Sequence, residues 1–280
     1  MKNQTNYRSK IKQNRGESMF DHPKVGQELG IHICEQMLSE LVYNMANYEG
    51  SRLTPIETDL ITDGFSVGNG KTINEVNQAY NIAKSWKDLI HSVKNQSFKV
   101  DKNTFIILNS LAAKDERLLE PGRFRTKTRF IKNTSYIPPL PIALDNLFQD
   151  MLAASLKEKD LVKQSYDLFL ESSRNQYFGD GNKRTAQLIM NGNLLMNGYS
   201  PISFPPEYKE EFFTKMKSYY ETNRKEAMYS FLGKRQAQIG MEKGGCNLSE
   251  QQEKKNPKRS AVETLRLKRE KQAQSKGLSR

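Results

Sequence analysis

Apolar residues recur every three to four positions through "GQELGIHICEQMLSELVYNMANYE", at Leu29, Ile33, Met37, Leu38 and Leu41, a spacing that predicts a helix with one buried face. The stretch "TINEVNQAYNIAKSWKDLIHSV" repeats the pattern at Ile73, Val76, Tyr80, Ile82, Ala83 and Trp86. Thr72, with Glu75 three residues on, reads as a capping box at its start. Trp86 and Tyr80 share this stripe, so core packing is expected of them rather than a stacking platform for a base. Helical periods return in "IALDNLFQDMLAASLK", "LVKQSYDLFLESS", "KRTAQLIMNGNLLMNG" and "PPEYKEEFFTKMKSYYE", where Pro206 suits the first turn of the last. Gly192 and Gly198 read as helix relief and a C-terminal cap. The region "GRFRTKTRFIKNTSYIPPLP" breaks the rhythm. It alternates from Phe124 to Ile131, passes an Asn-Thr turn signal and stops at two prolines, predicting a short β-hairpin over 123–137. From about Met241 the apolar period fails, and a disordered tail or a lone helix in need of a partner is expected. The fold class is therefore mainly α with one short hairpin.

Composition adds limits. A chain of 280 residues with 36% hydrophobic content can bury a real core. No run reaches the roughly 18 apolar residues of a membrane span, and the charged start "MKNQTNYRSKIKQNRGES" lacks the apolar stretch of a secretion signal, so a soluble, cytoplasmic protein is expected. Cys34 and Cys246 imply neither a disulfide framework nor a metal cluster, and His22, His32 and His91 lie in unrelated contexts. The net charge of +12 belongs to the ends: five Lys/Arg and no acid in 1–16, and thirteen Lys/Arg against five acids in 234–280. The remainder, 17–233, carries 26 basic and 27 acidic residues. Basic tails attract nucleic-acid phosphates weakly and non-specifically, but no aromatics are interleaved with them, and a solubilising role is the plainer reading. The expected organisation is a basic arm over 1–24, a helical domain over 25–233 and a basic, disordered tail over 234–280.

The chemistry concentrates in "SSRNQYFGDGNKRTAQLIMNG", residues 172–192, where Gly179, Asp180, Gly181, Asn182, Lys183 and Arg184 immediately precede an apolar helical run. A glycine-rich loop feeding a helix leaves backbone N–H groups unpaired at the positive end of the dipole, a ready anion site. Arg184 in the first turn makes more sense with an anion in front of it, and Asp180 suits a divalent cation shared with phosphate oxygens. The same residues also suit an ordinary Asp-Gly turn with an asparagine N-cap. Arg123, Arg125, Lys127 and Arg129, two residues apart, fall on one face of the expected strand, either as a patch for phosphate or an acidic target or as a solvated edge.

The run Phe178-Gly179-Asp180-Gly181-Asn182-Lys183-Arg184 resembles the core motif of the Fic family, H-x-F-x-D/E-G-N-G/K-R, and "EPGRFRTK…YIPP" resembles that family's target-positioning flap, so that the resemblance covers roughly residues 50–233. It implies the helical Fic (Fido) fold with a hairpin flap bearing Arg125, Lys127 and Arg129. It also implies ATP with Mg²⁺ as cofactors and transfer of AMP to a protein hydroxyl. By that resemblance Asp180 holds the metal, while Gly179, Gly181, Asn182, Lys183 and Arg184 handle the phosphates. Three departures follow. The position of the motif histidine, the general base, is Gln176, whose carboxamide takes no proton near neutral pH. Lys183 in place of glycine resembles the Doc branch, which moves phosphate rather than AMP. Gln187 stands where adenylylating members carry a second arginine, the partner of the family's inhibitory glutamate, and "ETDLITDGFSVGNG" (57–70) only loosely matches the inhibitory motif. Two functions are consistent with this: a slow or atypical adenylyl- or phosphotransferase in which Gln176 only orients a hydroxyl, and a lapsed module that binds a nucleotide, a protein target or an antitoxin-like inhibitor.

Overall fold

The structure is a computed structural model that describes residues 19–67, 70–114 and 120–244. The described residues up to Gly240 belong to one compact unit. The expectations for the arm through residue 18 and for the tail from 245 lie outside the described residues.

Ten α-helices are found among the described residues: α1 Gln27–Gln36, α2 Leu38–Tyr48, α3 Pro55–Thr62, α4 Ile73–Lys94, α5 Lys102–Ala112, α6 Leu144–Lys157, α7 Leu161–Asn175, α8 Asn182–Met196, α9 Lys209–Thr222 and α10 Glu226–Ile239. The first expected helix is two, because Met37 adopts φ −93°, ψ 5° and turns the chain. The capping box at α4 forms as expected: Thr72 Oγ1 accepts from the Glu75 N–H at 3.2 Å and Glu75 accepts from the Thr72 N–H at 3.0 Å. Trp86 is fully buried, but Tyr80 is 49% exposed, since α4 carries its core on the Ala79–Ala83–Trp86–Ile90 face instead.

Helix α8 is the axis of the body, packed by α7 along its length and by α1, α4 and α5 around it. Apart from Lys183, every residue from Asn182 to Leu195 is buried, polar ones included. Several of those polar side chains are paired, which lowers the cost of burying them. Asn191 clamps the Ile202 backbone from both ends of its carboxamide, at 3.1 and 2.7 Å, and Asn193 donates to Gln164 Oε1 and Ser165 Oγ at 2.8 and 2.9 Å. Gly192 serves close packing, since a Cβ there would lie 2.3 Å from the Phe98 ring. Aromatic side chains of α2, α7, α9 and α10, among them Tyr48, Phe169, Phe212 and Phe231, fill the core on the other side.

Two expectations need correction. The domain does not end at 233: α10 continues to Ile239 with Gln236 and Ile239 buried, and Gln236 Oε1 accepts from the Tyr166 hydroxyl at 2.6 Å. Nor does it begin at 25, for Phe20 stacks edge-on against Tyr229 with ring centres 4.9 Å apart. The hairpin over 123–137 does not form. The segment joins the body by a single antiparallel bridge between Phe124 and Phe178, and the rest is extended chain and turns. Its alternation comes from one buried arginine, Arg125, not from a paired strand. No helix among the described residues is long and apolar enough to cross a membrane.

Candidate functional site

The motif loop runs between the end of α7 and the start of α8, and its backbone is set by two left-handed residues. Gln176 ends α7 at φ 52°, ψ 58°, and Gly181 opens α8 at φ 73°. A side chain at Gly181 would meet both an unfavourable φ and the Ala113 methyl at 3.0 Å, so glycine is required there.

Asn182 closes the loop. Its Oδ1 accepts from the Phe178 N–H at 2.8 Å, and its Nδ2 donates to the Phe178 carbonyl at 2.8 Å and to Gln176 Oε1 at 3.2 Å. The helix thus starts at Asn182, with Gly181 rather than Asn182 as N-cap, and the Asn182 side chain serves as a brace instead of an exposed phosphate contact. Gln176 is equally engaged, since its Nε2 donates to the Ser173 carbonyl at 2.6 Å while its Oε1 receives Asn182. Both ends of the carboxamide are turned into the loop, away from the role of orienting a substrate hydroxyl.

Arg184 has its anion. Nη2 donates to Asp180 Oδ2 at 2.5 Å, and Nη1 donates to the Ala112 carbonyl at 2.6 Å. The side chain is 3% exposed, and its Nε is buried with no partner. It lines a cavity of about 190 Å³ together with Glu49, Asn74, Gln78, Asn81 and Ala112. That volume lies below the roughly 300 Å³ at which sites for whole small molecules begin, and its lining also includes the carboxylate of Glu75. No group of three or more His, Cys, Asp or Glu gathers for a metal among the described residues. Asp180 fits a different kind of site: the ion pair engages one of its oxygens, and a single carboxylate beside a phosphate-binding loop is what Mg²⁺ shared with phosphate and water asks of a protein.

The start of α8 is electrostatically unusual. Helices α3, α4, α5 and α7 are capped by Thr54, Thr72, Asp101 and Asp160. Helices α1, α2, α6, α9 and α10 lack side-chain caps, but each carries an acidic residue in its first turn: Glu28, Glu40, Asp145, Glu210 and Glu226. Among the described helices α8 alone has neither, and places Lys183 and Arg184 there instead. Unpaired amides, the positive dipole end and two cations converge on one spot.

Two residues of the site carried no signal strong enough to be singled out in the sequence. Asn109, buried in α5, donates to the Asp180 carbonyl at 2.8 Å and to Thr185 Oγ1 at 3.1 Å and accepts from the Gly122 N–H at 2.9 Å, joining loop, helix and flap segment. An asparagine inside the apolar run "FIILNSLA" was the available hint. Glu49, just past the end of α2, lies 3.4 Å from Lys183 Nζ. Burial alone pushes its carboxyl up, yet Lys183 and Arg184 outweigh that and hold it below its ordinary 4.5. The carboxylate that meets the motif cations is therefore Glu49 and not one from 57–70, where Glu57 is spent on the Thr54 capping box and on Lys71. Gln187 is buried within α8.

The flap cations separate. Arg125 is 4% exposed and knots the segment to the motif: Nε donates to the Gln176 carbonyl at 2.6 Å, Nη1 to the Lys127 carbonyl at 3.0 Å and Nη2 to the Pro139 carbonyl at 2.5 Å. Burial, and then repulsion from Arg129, lowers its pKa. It is an internal brace, not a target contact. Lys127 is exposed, and Arg129 is half-buried with an unpartnered Nε.

The Fic/DOC family is matched over residues 99–194. A protein adenylyltransferase Fic from Nematostella vectensis is 25% identical over 178 residues, covering 61% of this chain and 41% of that protein. The one from Aedes aegypti is 26% identical over 184 residues, covering 61% of this chain and 35% of its own length. The chain thus spans well under half the length of these relatives. Among solved structures, Fic-1 (residues 134–508) from C. elegans superposes with a TM-score of 0.65 at 18% identity, over 87% of this chain and 70% of that one. A Fic domain containing signaling protein from Bacteroides thetaiotaomicron gives 0.65 at 15% identity, over 86% and 97%.

Proposed function

Taking as premise that the chain belongs to the Fic/DOC family, we propose that it is a nucleotide-binding Fic protein that takes ATP with Mg²⁺ and transfers AMP or phosphate to a protein hydroxyl slowly or not at all. The observation that carries this reading is the start of α8, where uncapped amides stand with Lys183 and with Arg184, whose Nε is buried without a partner and whose side chain lines a cavity of about 190 Å³. In this reading Gly179, Gly181, Lys183 and Arg184 hold the phosphates, Asn182 keeps the loop closed, and Asp180 holds Mg²⁺ once Arg184 turns its guanidinium to the phosphate. Bound Mg²⁺ neutralises phosphate charge. The relatives' name, adenylyltransferase, supports ATP as the nucleotide.

Slow transfer follows from Gln176. A carboxamide cannot remove the proton from an attacking hydroxyl, and general-base loss costs about 10²- to 10⁴-fold in rate. The inward hydrogen bonds of Gln176 also favour the second reading, a lapsed module that binds nucleotide and a protein partner without turnover. The cytoplasm is the proposed location.

Calorimetric titration with ATP and GTP, with and without Mg²⁺, tests the binding. Arg184→Ala is expected to weaken it by about 10- to 100-fold, the worth of a charge-assisted hydrogen bond, while Gln176→Ala leaves it within a few-fold. Labelling of a lysate with α- and γ-phosphate-labelled ATP reads the transfer. Gln176→His should raise it by about 10²-fold or more, and strong wild-type labelling would retire the lapsed reading. Absence of nucleotide binding by the folded wild-type protein would remove the proposal altogether.

A further inference from the structure

Helix α5 buries an asparagine completely, inside the apolar run "FIILNSLA". An amide in that place lowers helix propensity and costs desolvation unless its polar groups are bonded. Asn109 meets the condition through three partners on three separate stretches of chain. Its Oδ1 accepts from the Gly122 N–H at 2.9 Å, and its Nδ2 donates to the Asp180 carbonyl at 2.8 Å and to Thr185 Oγ1 at 3.1 Å. The bond from Gly122 fixes which end of the carboxamide is the acceptor, so the donor end is the one that faces the motif loop. The fit is close on both sides. A Cβ at Gly122 would lie 2.8 Å from the Ser110 Cβ, and one at Gly181 would lie 3.1 Å from Asn109 Nδ2.

Asp180 is therefore held in two different ways. Arg184 pairs with its carboxylate, and Asn109 holds its backbone carbonyl. The Asp180 side chain is 29% exposed and that of Arg184 3%, so the carboxylate is the member of the pair that solvent reaches. Asp180 stands between Gly179 and Gly181, and glycine on both sides leaves the backbone few steric restraints of its own. In the functional reading Arg184 turns to the phosphate, and the ion pair opens just when the carboxylate is needed for a cation. The bond from Asn109 does not involve Arg184 and survives that step. Through Thr185 the same amide is also tied to the first turn of α8, which keeps loop and helix in register.

We propose that Asn109 is a positioning residue for Asp180: by holding the carbonyl of that residue against α5, it keeps the carboxylate in place for a divalent cation once Arg184 has left it. The inference rests on the functional reading for the cation and on the geometry alone for the tether. Being fully buried, Asn109 acts through Asp180 and not by contact with a nucleotide. A group that orients a metal ligand in this way is worth roughly 10- to 100-fold in metal affinity.

The test uses the full chain in a cycle of four proteins: wild type, Asn109→Leu, Asp180→Ala and the double variant. Leucine keeps the branched shape of asparagine and removes both bonding ends. Asn109→Ala repeats the cycle with a smaller side chain, and thermal midpoints establish that each protein folds. Calorimetry measures ATP affinity with excess Mg²⁺ and with a chelator. Mg²⁺ is expected to tighten wild-type binding by about tenfold or more, and in Asn109→Leu that gain should fall to about twofold while the affinity in chelator is unchanged. On Asp180→Ala, which has no carboxylate to place, Asn109→Leu should add no further loss. A wild-type affinity indifferent to Mg²⁺, or a gain retained in Asn109→Leu, overturns the proposal. So does an equal loss with and without Mg²⁺, or a further loss on top of Asp180→Ala, because an asparagine that only supports the fold would give those results. If folded wild type binds no ATP at all, the functional reading falls and the midpoints decide the tether. A double variant that melts below the sum of the two single shifts supports a loop held from both sides, and additive shifts overturn it.

Discussion

Helices α7 and α8 lie against each other along their whole length, yet they begin in opposite ways. At α7, Asp160 Oδ1 accepts from the Val162 and Lys163 N–H groups, both at 3.0 Å, and the next turns are laced by Lys163 with Asp167 and by Lys225 with Asp167 and Glu171. Two first-turn amides and these charges have their answers within the protein. At α8 a left-handed glycine offers no side chain to the amides, and the first turn carries Lys183 and Arg184. One start is arranged for stability. The other gives up a cap worth about 1 kcal/mol and places positive charge on a positive dipole end, met within the protein by Asp180 and Glu49.

The largest effect is expected from giving α8 the first-turn acid that the other uncapped helices have. Lys183→Glu should weaken MgATP binding by about 30- to 100-fold, as a phosphate-pairing cation becomes a repelling anion. Unchanged affinity in calorimetry would show that the two helix starts do not differ in function. Gly181→Ala comes next: the left-handed φ and the contact with Ala113 should cost about 2 kcal/mol, read as a thermal midpoint lower by several degrees. Removing the α7 cap, Asp160→Ala, should cost about 1 kcal/mol of stability and leave MgATP affinity alone, so a parallel loss of affinity would dissolve the contrast.

The smallest effect concerns Glu49. Its folded pKa is depressed, so its ion pair with Lys183 stabilises the protein above the ordinary carboxyl value of 4.5 and is lost as the pH falls through the folded value. Being partly exposed, it contributes about 0.5 to 1 kcal/mol. The difference in thermal midpoint between wild type and Glu49→Gln should therefore be present at pH 7 and close below pH 4.5. The same substitution should tighten MgATP binding a few-fold, because Lys183 no longer faces a competing carboxylate.

Local rules carried much of this in the sequence. The capping box at Thr72, the glycine-rich turn into α8 and most of the helical stripes depend on residues three or four apart, and the chain spells them out. What was not legible depends on partners far along the chain. Asn109 reads as an ordinary residue of an apolar helix until the loop 71 positions away is laid over it. Glu49 is the end of a helix until α8 brings Lys183 to it. Alternation at 123–137 suggested a hairpin because a strand and a segment organised by one inward arginine have the same period of two. Helix α10 is not among the helices predicted from the apolar periods; its last turns, "GKRQAQIG", are polar, and Gln236 is buried there with partners in Tyr166 and Ser200, far along the chain.

Arg125 has a consequence for how this protein can change. Three of the carbonyls it grips, at Lys127, Pro139 and Gln176, are backbone groups, so the knot is indifferent to which side chains the chain displays between its two tied ends. Between those ends Ile131 and Tyr136 pack on the core and are fixed, while exposed positions such as Phe130 and Ile137 can change without refolding the motif, provided the arginine stays.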